Sequence, residues 1–380
     1  MMKEMQMNPL SAIQHPYPYP YYAELTRERP FYFDNKLNLW VASDAASVRV
    51  ILNAPQMQVR PVAQPVPTGL IGTPAGEVFG QLVRMQDGEY HRQLKSTIIQ
   101  ALSSVDSQYV RALATDITNI QLRQKTDINK LMFLVPASVI AILCGFVPDM
   151  VPEILSLIAE FVLCIPPTAG VEQQQRASQA ARQLLTFFAK EIEQAKQGTL
   201  FSELLQASSD NGWTQHAALI SNAIGFLSQT YDATAGLIGN TLLAYRHYSD
   251  AFAANVLPSF IKEVSRFDAP IQNTRRFAAS SFSHNGQQID QGQTILLLLA
   301  AANRDPASTV HPHEFILGRM QEQSFTFSDG KHRCPGAKIA QDITCGVVDA
   351  LLKYQPNWAD KPYRVRYLPS GNARIPEFIF

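Results

Sequence analysis

Cys334 is the residue whose surroundings indicate the clearest chemistry. It ends segment 325–334 (Phe-Thr-Phe-Ser-Asp-Gly-Lys-His-Arg-Cys) and is followed by Pro335. Because proline is favoured at the first position of a helix, Cys334 is expected at a helix N-terminus, where the dipole and the unused N–H groups favour a thiolate. Lys331 and Arg333 add positive charge nearby. The sequence therefore predicts a thiolate just ahead of a helix.

The spacing around this cysteine is a longer signal than the cysteine alone. Phe327, Gly330, Cys334 and Gly336 form the pattern Phe-x-x-Gly-x-x-x-Cys-x-Gly, which resembles the haem-ligand loop of the cytochrome P450 family, here 325–336. The resemblance implies that Cys334 binds the iron of haem b as an axial thiolate, which favours O–O cleavage. It also implies that Phe327 and the two glycines lie close to the cofactor, since glycine lets a backbone approach a flat macrocycle.

Two further motifs follow in the order that this family shows. The segment from Glu263 to Arg266 matches the family's Glu-x-x-Arg, and charges three residues apart share a helix face and can pair. We assign this pair to the fold rather than to the chemistry. Segment 270–276 ends at Arg276, which the resemblance assigns to a haem propionate, with Arg275 as the second choice. Arginine suits the role because its guanidinium pairs with a carboxylate through two parallel hydrogen bonds.

Three other residues are propionate candidates. His91 and Lys95 lie four residues apart in segment 87–95 and share a helix face; this segment resembles the family's helix that crosses the haem edge. Relatives usually carry arginine at the position of Lys95, so the charge is kept but the bidentate geometry is lost. His332, two residues before the cysteine, is the remaining candidate.

The predicted distal helix, about 215–247, departs from the family pattern Ala-Gly-x-Asp/Glu-Thr-Thr. Aligning the acid with Asp232 puts Ala233 at the first threonine and Thr234 at the second, and Gln229 replaces the alanine. In the family the first threonine helps to deliver protons. Asp232 becomes the proton-relay candidate, because a positioned carboxylate is an ordinary general acid. Gln229 is expected to hydrogen-bond dioxygen or substrate, or to narrow the pocket.

Three explanations for the missing threonine stay open. A water network with Asp232 and a substrate hydroxyl can replace it. The enzyme can instead run chemistry that avoids ordinary proton delivery, such as oxidative coupling, ring closure, nitration or peroxide-driven oxidation. In the third explanation the alignment is shifted by one residue, and Thr234 is the functional threonine.

The substrate pocket is predicted by position in the family alone. Its walls are expected from the irregular loop 60–82, from the tail near Ile375, and from seven residues: Leu227, Ser228, Thr230, Tyr231, Ala233, Ile271 and Gln272. The polar members of this set indicate a functionalised substrate rather than a bare hydrocarbon.

Composition excludes several classes of protein. The chain has 380 residues, of which 46% are hydrophobic and 17% charged, and its formal net charge is zero. This balance fits a large folded interior and argues against disorder and against a general nucleic-acid binder. The four cysteines form no disulfide framework. The apolar run 131–147 is interrupted by Pro136 and is shorter than the ~20 residues of a membrane span, so it predicts a buried helix. We expect a soluble, cytoplasmic protein with no nucleic-acid or membrane partner.

Apolar periodicity and turn residues predict a mainly α protein with a minor β-sheet. Helices are predicted over 21–27, 45–52, most of 89–196, 215–247, 259–266 and 337–354. Strands are predicted around 31–33, 39–41, 271–278, 281–282 and 294–299, with a hairpin over 363–380 and an irregular loop over 54–80. No linker or repeat interrupts this order, so we predict one cytochrome P450 domain over 1–380.

The resemblance implies a bacterial-type haem-thiolate monooxygenase that oxidises, and most often hydroxylates, a small organic substrate in secondary metabolism. It implies oxygen activation at thiolate-ligated iron, hydrogen abstraction and rebound. Electrons are then expected from a separate ferredoxin or flavodoxin and its reductase, docked on Lys331, Arg333 and Lys338. The alternatives are a haem-thiolate enzyme of the atypical chemistry named above, and a non-catalytic haem sensor or carrier.

Overall fold

The computed structural model describes residues 7–166, 168–249, 256–319 and 324–380. The chain forms two compact units, each assembled from separate segments. Unit 1 comprises Met1–Gln58, Gly236–Cys334 and Gln355–Phe380, and unit 2 comprises Val59–Ala235 and Pro335–Tyr354. The single domain over 1–380 stays a prediction.

Unit 1 contains the β structure of the described residues. Its strands are β1 (Phe31–Asp34), β2 (Leu39–Ala42), β3 (Met57–Gln58), β4 (Thr274–Ala278), β5 (Phe282–His284), β6 (Gln287–Ile289), β7 (Thr294–Leu297), β8 (Arg364–Tyr367) and β9 (Pro376–Ile379). Five of them form one sheet in the order β1-β2-β7-β4-β3, in which β2 and β7 run parallel. The others form hairpins, β5 with β6 and β8 with β9. The first hairpin turns at Asn285 and Gly286, both at positive φ (49° and 72°), as a two-residue type I′ turn requires.

Four complete α-helices of the described residues belong to unit 1. They are α1 (Tyr19–Glu28), α2 (Ala45–Asn53), α11 (Leu257–Phe267) and the short α12 (Leu299–Ala302). Val48, Ile51 and Leu52 of α2 share a core cluster with Ile295 and Leu297 of β7. The apolar side chains of α2 recur every three to four residues, so one helix face can cover the sheet.

Unit 2 is helical. It holds α3 (Pro74–Gln81), α4 (Gly88–Ser103), α5 (Ser107–Arg123), α6 (Ile128–Cys144), α7 (Val151–Phe161), α8 (Val171–Glu193), α9 (Leu200–Asp210), α13 (Ala337–Tyr354) and most of α10 (His216–Tyr248). The main pairs are α5 with α13, α7 with α8, α4 with α9 and α3 with α8. α5 and α13 approach closely at Gly346, where a Cβ would lie 2.5 Å from the carbonyl oxygen of Arg111.

Side-chain caps explain where several helices begin. The carboxylate of Asp44 accepts a hydrogen bond from the Ser47 backbone N–H (2.8 Å), and that of Asp106 accepts one from Tyr109 N–H (2.7 Å). The Thr73 hydroxyl accepts one from Gly76 N–H (3.1 Å). Each cap satisfies a donor in the first helical turn that has no partner within the helix.

The apolar run 131–147 forms most of α6, which is buried and contains Pro136 within the helix. This confirms the predicted buried helix. None of the helices in the described part of the chain combines the length and apolar character that a membrane crossing requires.

Most predicted elements are present, and the mainly α fold is confirmed. The loop predicted over 54–80 is partly wrong, because it contains β3, a short 3-10 helix at Thr68–Leu70 and α3. α3 begins at a threonine cap and packs on α8. Because α3 has only eight residues, its sequence shows little apolar periodicity, and the pattern alone does not predict it.

Candidate active site

The cysteine loop lies in unit 1 and consists of two short 3-10 turns, Phe325–Phe327 and Gly330–His332. The Cys334 backbone N–H donates to the carbonyl of Phe327 (2.8 Å). This bond closes the loop on itself. The Cys334 thiol is exposed, whereas the other three cysteines are buried. The structure therefore presents the predicted ligand at a surface.

Three hydrogen bonds fix the start of this loop within unit 1. The Asn303 side chain accepts from Phe325 N–H (2.6 Å) and donates to the Thr326 hydroxyl (3.1 Å). That hydroxyl donates to the carbonyl of Ser265 on α11. Ser265 lies on α11, within the Glu-x-x-Arg motif, whereas Asn303, Phe325 and Thr326 come later in the chain. The three hydrogen bonds therefore connect the motif to the cysteine loop within unit 1.

The two loop glycines differ in environment. Gly330 has φ +59°, and a Cβ there would lie 2.1 Å from Oδ1 of Asn53 on α2. Its need for glycine therefore comes from the turn and from close packing on α2. A Cβ on Gly336 would meet no atom within 4 Å, so the space beside Gly336 is open.

The Glu-x-x-Arg pair forms the centre of a buried ionic network. Arg266 binds both carboxylate oxygens of Glu263 (2.6 and 3.0 Å) and donates to the carbonyls of Pro312 (2.8 Å) and Glu314 (2.9 Å). Arg319 donates to Glu263 Oε1 (3.0 Å). Arg266 and Glu263 are 8% and 5% exposed, and such buried charges need this density of partners. The network supports the assignment of this pair to the fold.

β4 separates the two arginines of segment 270–276. Successive strand residues point to opposite faces, and here Arg276 is buried while Arg275 is partly exposed. An Arg276 N–H donates to the carbonyl of Arg275 (2.9 Å). Burial lowers the pKa of the Arg275 guanidinium.

The two pocket residues before β4 lie in different environments. Ile271 is partly buried and forms an isolated bridge with Ala373 near the C-terminus. Gln272 has no exposed surface, and its amide donates to the carbonyl of Ala269 (2.7 Å). A fully buried side chain touches no water-sized space, so the structure does not support Gln272 as a wall of the pocket.

In unit 2, α4 carries both upstream propionate candidates. His91 is 3% exposed and Lys95 is partly exposed. Their four-residue spacing places them on one helix face, as predicted. The propionate role of the two residues stays a prediction.

The middle of α10 has one accessible face. Between Ser221 and Leu242 every residue is buried except Phe226 and the stretch 229–233. Phe226, Gln229, Thr230 and Ala233 recur at i, i+3, i+4 and i+7, which is one face of a helix. We call these four residues the accessible stripe.

Three polar side chains of this stretch have accessible polar atoms. Gln229 Oε1, the Thr230 hydroxyl and the Asp232 carboxylate accept no hydrogen bond from the described residues and are not enclosed. Burial of the Asp232 carboxyl raises its pKa. Tyr231 instead packs its ring on Phe133 of α6 (centroids 4.9 Å apart).

The structure corrects three predictions on this helix. Leu227 and Ser228 are 0% and 4% exposed, and the Ser228 hydroxyl donates to the carbonyl of Gly225 (3.3 Å). Both lie on the packed side of α10 and do not line an open space. Thr234 is also buried, at 1% exposure, whereas Ala233 lies on the accessible stripe. The alignment that puts Ala233 at the functional position therefore fits this helix better than the shifted one.

The predicted loop wall contributes to a cavity of about 760 Å³ within unit 2. The cavity is lined by 63–66, 71–74, 76–77 and Arg182 of α8. The side chain of Asn222 on α10 holds the end of the same loop, because it accepts from Val83 N–H (2.8 Å) and donates to the carbonyl of Gln81 (2.8 Å).

Comparison with known proteins supports the resemblance and the fold. A model of the family "Cytochrome P450" matches residues 246–348, which include the Glu-x-x-Arg motif and the cysteine loop. The chain is 27% identical over 303 residues, 75% of each chain, to "Putative cytochrome P450 133B2" of Xylella fastidiosa. It is 32% identical over 180 residues to "6-deoxyerythronolide B hydroxylase" of Saccharopolyspora erythraea, a match that covers 45% of this chain and 44% of that one.

Solved structures share the fold. The structure of P450BioI in complex with hexadec-9Z-enoic acid ligated acyl carrier protein superposes with a TM-score of 0.81 at 22% identity, covering 95% of this chain and 97% of that one. The chain belongs to the cytochrome P450 family. Members of this family are haem-thiolate monooxygenases that bind haem b through a cysteine.

The residues present suit this cofactor. Cys334 offers the one exposed thiol among the described residues, and Arg276 offers a buried guanidinium of the kind that pairs with a carboxylate. The open space beside Gly336 leaves room for a flat group next to the backbone.

Sequence reasoning missed Arg319, Asn303 and Asn222. Each acts through long-range contacts: Arg319 lies 56 residues from Glu263, and Asn222 lies 139 residues from Val83. Of the three, only Asn303 lies in a segment with a recognisable pattern. That segment, Ala-Ala-Asn-Arg-Asp-Pro over 301–306, is typical of bacterial members of this family.

Proposed function

We propose that this chain hydroxylates a small, functionalised organic molecule in secondary metabolism, with Cys334 as the axial ligand of haem b. The observation that carries the hydroxylation is the polar stretch at Gln229, Thr230 and Asp232, accessible on an otherwise buried helix. Polar groups that are largely buried cost free energy unless a ligand or water forms hydrogen bonds with them. The hydroxylase named among the relatives supports the reaction class.

The protein's own contribution is to hold the cofactor and to supply protons. Haem, when bound, would supply the oxidising power, and a cysteine thiolate on its iron would strengthen it. Arg276, His332, His91 and Lys95 are proposed to bind the propionates. Asp232 is proposed to carry the proton, because burial raises the pKa of its carboxyl and keeps it protonated to higher pH than an ordinary aspartate.

Water and the Thr230 hydroxyl are proposed to replace the missing threonine. Ala233 has no hydroxyl, and Thr230 lies three residues earlier on the same accessible stripe. A hydroxyl can both donate and accept, so Thr230 can hold a water beside Ala233. Electrons are proposed to come from a separate ferredoxin or flavodoxin and its reductase, docked on Lys331, Arg333 and Lys338.

The absorption spectrum of the reduced protein with carbon monoxide tests the assignment first. A red-shifted Soret band in the wild-type protein, absent in Cys334→Ala with normal far-UV circular dichroism, supports thiolate ligation by Cys334. An unshifted band in folded wild-type protein contradicts it. A second requirement is turnover: Cys334→Ala protein that still oxidises substrate also contradicts the proposal.

A second candidate function is oxidative coupling, ring closure, nitration or peroxide-driven oxidation, which Ala233 on the accessible stripe favours because that position lacks the hydroxyl of ordinary proton delivery. Ala233→Thr separates the two. For hydroxylation, the fraction of electrons recovered in the hydroxylated product should rise. For the atypical chemistry, the product should be unchanged or diverted while that fraction does not rise.

A further inference from the structure

The side chain of Gln229 has a defined orientation on the accessible stripe. Its Nε2 donates to the carbonyl oxygen of Gly225, one turn earlier, at 2.9 Å. A carbonyl oxygen can only accept, so the nitrogen end of the amide must face it. This assignment does not depend on how well the two ends of an amide are distinguished.

The glycine one turn earlier makes this arrangement possible. A Cβ at Gly225 would lie 2.9 Å from Gln229 Nε2 and 2.6 Å from Cδ2 of Leu82. Any larger residue would push the amide off the carbonyl or displace Leu82. Gly225 and Gln229 therefore act as a pair that holds the amide against the helix.

The consequence is that the amide oxygen is the end presented to the open space. Oε1 accepts no hydrogen bond from the described residues and is accessible. Its neighbours on the stripe are the apolar Phe226 and Ala233, and one hydroxyl, Thr230. An acceptor held in one orientation favours ligands that carry a donor at the matching place.

We propose that Gln229 is a specificity-determining residue that selects substrates carrying a hydroxyl or N–H group, which donates to Gln229 Oε1. This inference rests on the proposed function, because it takes the accessible stripe to be a wall of the substrate pocket. It names the substrate class: molecules with a hydrogen-bond donor on the face that meets α10.

Iron-binding probes test this without knowledge of the substrate. N-phenylimidazole is compared with its ortho, meta and para hydroxy derivatives and with the three matching fluoro derivatives, which lack the donor. Dissociation constants are read from the spectral shift on nitrogen ligation of the haem. One hydrogen bond predicts that the best hydroxy isomer binds about 3- to 10-fold more tightly than its fluoro partner.

Two variants locate the effect. Gln229→Leu removes the acceptor and should reduce the hydroxy-to-fluoro ratio to about 1. Ser221→Ala removes a fully buried hydroxyl from the same helix and should leave the ratio as in the wild type.

The outcomes separate this inference from the proposed function. Equal affinities for all hydroxy and fluoro pairs in the wild type, or a preference that survives in Gln229→Leu, overturn the acceptor role. If the carbon monoxide complex of the wild type lacks the red-shifted band, the proposed function fails and this inference falls with it.

Discussion

At the scale of single residues, Ser328 in the cysteine loop has an unusual backbone. Its φ and ψ are 61° and −172°, a region adopted almost only by glycine. Its hydroxyl is buried and has no hydrogen-bond partner among the described residues. Both features cost stability within the cysteine loop.

Ser328→Gly should therefore stabilise the protein by about 1 kcal/mol, the relief of strain less the greater flexibility of glycine in the unfolded chain. Ser324→Gly is the matched control, because Ser324 has an extended backbone (φ −102°, ψ 142°) and gains nothing from glycine. Denaturant unfolding of the two variants measures the difference. Equal destabilisation by both changes would show that the positive φ of Ser328 carries no cost.

Asp232 should show opposite effects on activity and on stability. Its folded-state pKa is raised by burial, so its ionisation opposes folding; the stability present at low pH is lost as pH rises through the raised pKa. Asp232→Asn should thus raise the free energy of unfolding at neutral pH, with the gain vanishing in acid. Turnover should fall about 10²-fold, the usual contribution of a general acid.

The measurements are turnover and unfolding across pH. Wild-type turnover should decline as pH rises through the raised pKa, and Asp232→Asn should lose that dependence. Asp349→Asn is the control, since Asp349 forms a surface pair with Lys353 (2.7 Å) and should change neither quantity much. An Asp232→Asn enzyme with wild-type turnover at every pH would remove Asp232 from the proton path.

At the scale of elements, the buried ionic network holds α11 against the segment that follows α12. Arg319 donates to Glu263 Oε1 (3.0 Å) and to the carbonyls of His311 (2.7 Å) and Glu314 (2.8 Å). Its side chain is 10% exposed.

Arg319→Met should cost about 2–3 kcal/mol of unfolding free energy, because a buried carboxylate loses a charged donor. Arg366→Met is the control: the Arg366–Glu377 pair is solvent-exposed, and its loss should change stability little. Thermal or denaturant unfolding of the haem-containing proteins measures both. Equal losses of unfolding free energy in the two variants would mean that burial does not increase the contribution of the ionic network to stability.

Predictability from sequence differs between elements for physical reasons. α13 was predicted at its observed bounds, because Pro335 marks its start and its apolar residues recur at helical spacing. α3 was missed because a cap and packing on α8 hold it rather than its own periodicity. Sequence patterns predict local structure, but they do not predict contacts between elements that are distant in the chain.

The same limit applies to the site. Cys334, Arg276 and Asp232 follow from spacing that resembles a known family. The burial of Leu227, Ser228 and Thr234 does not, because polar and apolar residues lie on several sides of α10 and only packing decides which face stays open. The role of Arg319 in the ionic network was not predicted, because its partner, Glu263, lies 56 residues away in the chain.

At the scale of the whole molecule, the four cysteines form two classes. Cys144, Cys164 and Cys345 are buried, whereas Cys334 is exposed. Burial raises the pKa of the Cys144 thiol, raises that of Cys164 to about 12 and raises that of Cys345 to about 11. Since the thiolate is the reactive form, the three buried thiols should be inert in the folded protein.

A disulfide reagent such as Ellman's should therefore titrate one thiol in the folded, haem-free protein near pH 8, and all four after unfolding in guanidinium. Cys334→Ala should leave none reactive in the folded state. Bound haem should protect the remaining thiol, because a sulfur that ligates iron cannot attack a disulfide. A fast-reacting thiol in folded Cys334→Ala protein would contradict the burial of the other three cysteines. A Cys334 thiol that reacts equally fast with and without haem would mean that iron is not bound through this sulfur.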